Sequence, residues 1–358
     1  MALSYTSEQE QIRNEARRFL HDRFDADVQR DLLRRQGAFD TRFWQDCIDM
    51  SWTGAGAPEA YGGLGLGPLD VCIIAEECGR FVAGAPFPAA NYAVITALVE
   101  YGDEAQRAAL IPGIVSGDIR FALALFEDED GLPAKPKTVF SNGVLNGRKI
   151  AAAGAAAATH ALVSSDTGLV LTDLSAGGVK RVVVDAIDNS RCAADLNFRN
   201  VPGEALAAGA DALRILAVQA MVTAFEQIGG AEAVMAKAQL YANTREAFGQ
   251  LIGRFQAIKH RIAEMYVAIE LARGNALVAA TGLAESAADF VARSAAARLT
   301  ASAAFEFAAA ESIQTHGAIG VTWEHDLHLY LRRARALALE LGSPLYWEDV
   351  VVDAIAGA

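Results

Sequence analysis

The sequence predicts an α+β multidomain protein with a helical N-terminal domain, a central β barrel-like domain and a C-terminal helical bundle. Three observations predict it. Apolar residues recur at helical spacing through the first hundred or so positions. Between about 119 and 205 they fall instead into short runs punctuated by turn signals. From about 206 the chain is long, apolar and almost free of helix breakers. At 358 residues the chain has room for two or three domains of about 150 residues. The expected divisions are 1–118, 119–205 and 206–358.

In the first segment, Thr6-Ser7-Glu8-Gln9-Glu10 reads as an N-cap followed by an acidic first turn, and Ile12, Ala16, Phe19 and Leu20 then line one face. A second helical run holds Phe43, Trp44, Cys47, Ile48 and Met50. The glycine-dense stretch from Pro58 to Gly67 is a turn that no helix tolerates. Helices are expected again over 69–79 and 92–101, with a further short one ending near Pro112-Gly113.

In the second segment, strands are expected near 120–126, 138–140, 144–150, 160–165, 168–173, 179–185 and 193–199. Asn142-Gly143, Asn146-Gly147 and Asp166-Thr167-Gly168 between apolar runs are hairpin signals, so this is a compact all-β module.

The third segment predicts long helices over 211–243, 245–273 and 284–316. Phe248, Ile252, Phe255, Ile258, Ile262, Met265 and Ile269 repeat at spacings of three and four, which makes the second of these amphipathic. The third is alanine-rich, and small residues let neighbouring helices approach closely.

Composition then excludes several classes. A chain that is 53% hydrophobic and 21% charged is neither disordered nor collagen-like. A net charge of −13 gives no general attraction to phosphate backbones, so no nucleic-acid partner is expected. Cys47, Cys72, Cys78 and Cys192 are too few for a disulfide scaffold and lack zinc-site pairing, so reduced core thiols are expected. The polar, acidic start does not read as a signal peptide. The longest uncharged run, 81–99, is broken by Pro86, Pro88 and Asn91, so no membrane span is expected. A cytoplasmic location is expected from these features together.

Five motifs, in order along the chain, resemble the acyl-CoA dehydrogenase family. The first is Pro58-Glu59-Ala60-Tyr61-Gly62-Gly63-Leu64-Gly65 followed by Ala75-Glu76-Glu77-Cys78-Gly79. The second is Leu196-Asn197-Phe198 with Val201-Pro202. The third, Thr244-Arg245-Glu246-Ala247-Phe248-Gly249-Gln250-Leu251-Ile252 with Phe255-Gln256, resembles the family's most specific stretch. Ile313-Gln314-Thr315-His316-Gly317-Ala318-Ile319-Gly320 is the fourth and Arg332-Arg333-Ala334-Arg335, resembling a helix start, the fifth. The resemblance implies the acyl-CoA dehydrogenase fold, with a C-terminal four-helix bundle and FAD shared at a subunit interface. Each subunit in such proteins donates groups to its neighbour's flavin. Carried over residue by residue, Arg245 would meet the diphosphate, Phe248, Phe255 and Gln256 the dinucleotide, and Gln314, Gly317 and Gly320 the adenosine end. Taken singly, these residues also have plain readings, as a solvated helix start and ordinary core.

The chain departs from the family where its own chemistry should stand. Dehydrogenation between Cα and Cβ of a thioester needs a base for the α proton while a hydride leaves the β carbon. Counting from Arg332, the family's first base position is Leu341, and Glu340 lies one residue away, about 100° around a helix. The alternative position, 26 residues before Arg245, is Gln219-Ala220. The Thr-Glu-x-Gly-type stretch after the first β strand is replaced by Leu125-Phe126-Glu127-Asp128-Glu129-Asp130, read as a solvated acidic loop. After Asn146-Gly147-Arg148-Lys149 the expected aromatic residue and hydroxyl are missing as well.

The losses fall on one half-site and spare the other. The resemblance therefore implies the non-catalytic subunit of a heteromeric bacterial acyl-CoA dehydrogenase of the steroid side-chain type. Its expected partners are a catalytic subunit in a heterotetramer, an acyl-CoA substrate and an electron-transfer flavoprotein as acceptor. No catalytic residue is expected in this chain. Two alternatives stay open: a homotetrameric dehydrogenase with Glu340 as base, and a flavin-free scaffold of the same fold. No metal site is expected, although His325 and His328 are spaced i, i+3. Ser343 has no nucleophile-elbow surroundings, and Gly62–Gly67 is not a phosphate loop.

Overall fold

The computed structural model describes residues 5–128 and 131–356. Six helices come first: α1 (Ser7–Arg23), α2 (Ala26–Leu32), α3 (Thr41–Asp49), α4 (Pro68–Arg80), α5 (Phe87–Tyr101) and α6 (Glu104–Val115). Helix α1 starts at a reciprocal cap: the Thr6 hydroxyl accepts from Gln9 N–H at 3.2 Å, and the Gln9 side chain accepts from Thr6 N–H at 3.1 Å. The expected break at Pro112-Gly113 does not end α6, which continues to Val115. Its fully buried Ile111 and Ile114 hold the last turn on the core and outweigh the bond that Pro112 cannot make.

Eight strands follow: β1 (Phe121–Ala124), β2 (Val139–Ser141), β3 (Val144–Ala152), β4 (His160–Ser165), β5 (Gly168–Asp173), β6 (Val179–Val183), β7 (Ala194–Pro202) and β8 (Glu204–Ala205). They form two open four-stranded sheets, β1-β4-β5-β8 and β2-β3-β7-β6. Among the described residues no closed barrel exists. All pairs are antiparallel except β1 with β4, where Phe121 lies opposite His160 in a parallel register. The hairpin signals could not show that pairing, because it joins strands that are distant in sequence. Strand β1 is buried along its whole length, and β4 and β5 nearly so, so the first sheet is covered on both faces.

The C-terminal part contains α7 (Ala212–Ala242), a two-stranded hairpin of β9 (Glu246–Ala247) and β10 (Gln250–Leu251), α8 (Gln256–Ala284), α9 (Phe290–His316), α10 (Leu327–Glu340) and α11 (Pro344–Ala356). The helix expected over 245–273 thus begins eleven residues late. Phe248 and Gly249 carry φ of 52° and 77° and make the hairpin turn, which helical geometry forbids. Arg332 lies inside α10 and not at its start. By length and composition α8 is apolar enough to cross a membrane, yet it packs along α7 and α9.

Helices α4 and α7 cross at a glycine pair. A Cβ on Gly79 would stand 1.8 Å from the Glu226 carbonyl oxygen, and one on Gly229 the same distance from that of Glu76. The two backbones touch because neither residue has a side chain. This contact brings the N-terminal helices onto the bundle beside the buried end of the β module.

Candidate functional site

Both positions at which a base was sought are sealed. Leu341 is 4% exposed, and its carbonyl accepts from the Trp347 indole N–H at 2.9 Å. Trp347 belongs to α11, so that helix caps the position. Gln219 is buried on α7. Glu340, at the last turn of α10, is gripped by Arg191: Nε donates to Oε2 and Nη2 to Oε1, each at 2.7 Å. Both oxygens of the Glu340 carboxylate are thus bound to one buried guanidinium.

That pair belongs to a larger lattice. Arg191 Nη1 also donates to Glu226 at 3.3 Å, Arg333 donates to the same Glu226 oxygen at 2.9 Å, and Arg333 Nε reaches Asp188 at 2.6 Å. Burial alone would push the Asp188 carboxyl up, but Arg333 and Ser190 hold it below the ordinary range. Asp188 caps a 3₁₀ turn before β7 that ends at Arg191, Glu226 stands on α7, and Arg333 and Glu340 on α10. The lattice fastens the β module to the bundle. Beside it, an apolar cavity of about 50 Å³ is lined by Val71, Ile74, Cys78, Tyr92, Val222 and Glu226. That is far below the roughly 300–1,000 Å³ of a ligand cleft.

The acidic stretch after β1 is not simply solvated. The Glu127 side chain is 5% exposed. Its carboxylate accepts from Lys149 Nζ at 2.8 Å and from the backbone N–H groups of Lys137 and Thr138 at 2.6 and 2.8 Å. Burial raises its pKa, and these bonds overcome that and bring it down to about 2. Lys149 is fully buried and also donates to Ser164. Asp128 pairs with Lys137. Glu129 and Asp130 lie outside the described residues. On the far side of the segment, Phe126 packs edge-on against Tyr346 of α11.

The residues assigned to a neighbour's flavin lie at the other end of the bundle. Arg245 is exposed, and its guanidinium has no partner among the described residues. Phe248 is 95% exposed at the tip of the β9–β10 hairpin, edge-on to Phe255 at 6.3 Å. Gln256 is exposed at the first position of α8. Gln314 is exposed in the last turn of α9, and Gly317 leaves that helix at φ 67° with open space around its α carbon. Gly320 is buried, and a Cβ there would stand 3.0 Å from the Ile313 carbonyl.

Two stretches about seventy residues apart are joined here by one ring contact. Tyr241, whose carbonyl receives Arg245 N–H at 2.8 Å, stacks on His316 at 4.4 Å. An open groove of about 360 Å³ runs between Thr244 beside Arg245 and His316 beside Gly317, with Lys237, His325 and Asp326 along it. His316 itself bonds its own helix, Nδ1 to the Ser312 carbonyl at 2.7 Å. Among the described residues no group of three or more His, Cys, Asp or Glu could hold a metal ion. Ser343 accepts from Tyr346 N–H and so caps α11.

The two halves fit a flavin unequally. A free guanidinium, an exposed aromatic hairpin and an unobstructed glycine suit a dinucleotide diphosphate approaching from outside. The described stretch 125–128 after β1 carries no hydroxyl residue, and its Glu127 is bound to Lys149. Arg191, Glu226 and Asp188 were not anticipated from the sequence. Charged residues are almost never buried unless paired, and nothing in the spacing announces a pairing over 149 positions.

Residues 6–118 match the family model described as acyl-CoA dehydrogenase, N-terminal domain, and residues 209–345 the one described as acyl-CoA dehydrogenase, C-terminal domain. The acyl-CoA dehydrogenase FadE34 of Mycobacterium tuberculosis is 36% identical over 295 residues, which cover 82% of this chain and 39% of that protein. The chain therefore spans about two fifths of that relative. The acyl-CoA dehydrogenase IpdE2 of Mycolicibacterium smegmatis is 28% identical over 95% of this chain and 96% of its own. Among solved structures, the Tcur3481-Tcur3483 steroid ACAD variant superposes with a TM-score of 0.90 at 29% identity, covering 98% of each chain.

Proposed function

The chain belongs to the acyl-CoA dehydrogenase family, and we propose that it is the partner subunit of a heteromeric member, completing the FAD site of a catalytic subunit without supplying a base. The observation that carries this reading is the asymmetry of the two half-sites. Glu340, the nearest carboxylate to the base position, is committed to Arg191, while Arg245 points outward with no partner among the described residues. When bound, FAD would supply the acceptor for the hydride that leaves the substrate β carbon. In this reading Arg245 holds the diphosphate, with Phe248, Phe255 and Gln256 against the dinucleotide. Gln314, Gly317 and Gly320 shape the adenosine end.

The surface of the C-terminal helices supports association. Tyr266, Val267 and Leu271 on α8 and Leu345, Val352 and Ile355 on α11 are all more than half exposed, an apolar area that another chain would cover. The proposed assembly is a heterotetramer of two such pairs, with an electron-transfer flavoprotein as acceptor. The steroid ACAD likeness supports the CoA thioester of a steroid side chain as the substrate class.

Flavin content tests this. Expressed alone, the chain should carry little or no FAD. Co-purified with its catalytic partner, it should yield a complex with fewer flavins than chains. A homo-oligomer with one FAD per chain and acyl-CoA turnover would establish the homotetramer instead. A flavin-free complex would establish the scaffold.

A further inference from the structure

Helices α7 and α9 run in the same direction: Gln227 meets Ser302, Gly230 lies against Phe305 and Val234 meets Ser312, in that order along both. Each helix presents a row of polar residues at four-residue spacing to this contact. The rows are Gln219, Thr223 and Gln227 on α7, and Ser294, Arg298 and Ser302 on α9. All six are buried, none more than 4% exposed. A polar seam therefore runs through the middle of an otherwise apolar bundle.

Its C-terminal half satisfies itself. Gln227 donates to Ser302 at 3.0 Å, and Arg298 Nη1 donates to Gln227 at 2.5 Å and to Ser302 at 3.1 Å. Arg298 Nη2 donates to the Leu337 carbonyl of α10. Its N-terminal half does not. Gln219 Oε1, Thr223 Oγ1, Ser294 Oγ and Arg298 Nε are all buried with no hydrogen-bond partner in the protein. They make up half of the eight such atoms among the described residues, and one turn of each helix holds them at the same level of the bundle. Buried polar groups are rarely left unpaired, so this concentration calls for a bonding partner.

Charge and donor balance identify the chemistry of that partner. Asp188, Glu226 and Glu340 bring three negative charges to this region, and Arg191 and Arg333 bring two positive ones. Arg298 forms no ion pair of its own among the described residues, and it brings the group to neutrality. A small anion would upset that balance and would face the Gln219 carbonyl oxygen. The four atoms comprise one donor, one acceptor and two hydroxyls that do either. Water, which makes about three bonds when buried, fits that set.

We propose that the N-terminal half of the seam between α7 and α9 is a built hydration site, with ordered water bonded to Gln219, Thr223, Ser294 and Arg298. Gln219, at the alternative base position, then spends its amide oxygen on this water. The site depends on this chain's own packing, independently of the subunit role proposed above.

Electron density of the full chain, alone or in its complex, tests this directly. Water within hydrogen-bond reach of at least three of the four atoms is expected, and a dry seam overturns the proposal. Thermal unfolding of Thr223→Val and Ser294→Ala reads the same question by sign. If water bridges these atoms, each variant loses its bonds and Tm falls by a few degrees. If the hydroxyls are orphans, replacing them with apolar groups leaves Tm unchanged or raises it, which overturns the proposal.

Discussion

Arg191 and Glu340 stand 149 positions apart and meet in a fork of two 2.7 Å bonds where the β module joins the bundle. The residue nearest the expected base position is thereby tied to the β module. Its neighbour Leu341 lies buried beneath Trp347.

Glu340→Gln should therefore leave turnover of the assembled enzyme, per bound flavin, within about twofold. Removing a general base would cost at least about a hundredfold, so the outcomes separate clearly. The same variant should lower the chain's stability by up to about 3–5 kcal/mol, because Arg191 loses the closer of its two buried counter-charges and keeps only Glu226 at 3.3 Å. Steady-state kinetics and thermal unfolding on one preparation check both halves.

Arg245→Ala should do the reverse. The side chain is exposed and unpartnered, so unfolding of the isolated chain should not change. Flavin affinity of the complex should fall about ten- to a hundredfold, the worth of one charge-assisted bond to phosphate. Titration of the apo-complex with FAD measures this. Unchanged affinity would remove Arg245 from the flavin site.

The glycines of the bundle should divide by what surrounds them. Gly229→Ala puts a Cβ 1.8 Å from the Glu76 carbonyl and must push α4 away from α7, a cost of ~3 kcal/mol or more. Gly274, on α8, has nothing within 4 Å of its would-be Cβ. Gly274→Ala should stabilise the isolated chain by ~0.5–1 kcal/mol through helix propensity. Denaturant midpoints of the two variants should move in opposite directions.

Acid should loosen the β module through Glu127. Its folded pKa is about 2, against an ordinary value near 4.5. A depressed carboxyl pKa contributes stability above the unfolded value and loses it as pH falls through the folded one. Glu127→Gln should accordingly lower stability at pH 7 and flatten the wild-type decline between about pH 4.5 and 2. Parallel slopes for the two proteins across that window would contradict the assignment.

The elements that the sequence made legible are those whose signal is local. Thr6 with Gln9 caps α1, and the runs at 160–165 and 168–173 coincide with β4 and β5. The α8 start was misplaced because the spacing of Phe248, Ile252 and Phe255 mimics a helix, while the left-handed turn at Phe248-Gly249 overrides it. Open sheets instead of a barrel, and the parallel β1–β4 pair, depend on contacts between distant strands. Of the candidate site, the motifs around Arg245 and Gln314 could be read as segments, but the Tyr241–His316 contact that joins them could not. Glu127 looked like part of a solvated acidic run because Lys149, 22 positions on, gave no sign of being turned inward.

The lattice of Asp188, Arg191, Glu226, Arg333 and Glu340 also bears on how the chain divides. Its members come from the β module and from two helices of the C-terminal part, and each half supplies charges that the other neutralises. A cut near residue 205 would leave Glu226 and Glu340 without Arg191 on one fragment, and Asp188 without Arg333 on the other. Each piece would lose the ion pairs that cross the cut, so the β module and the bundle should melt as one cooperative unit. Dissection into separately expressed domains should give fragments that aggregate unless they are produced together.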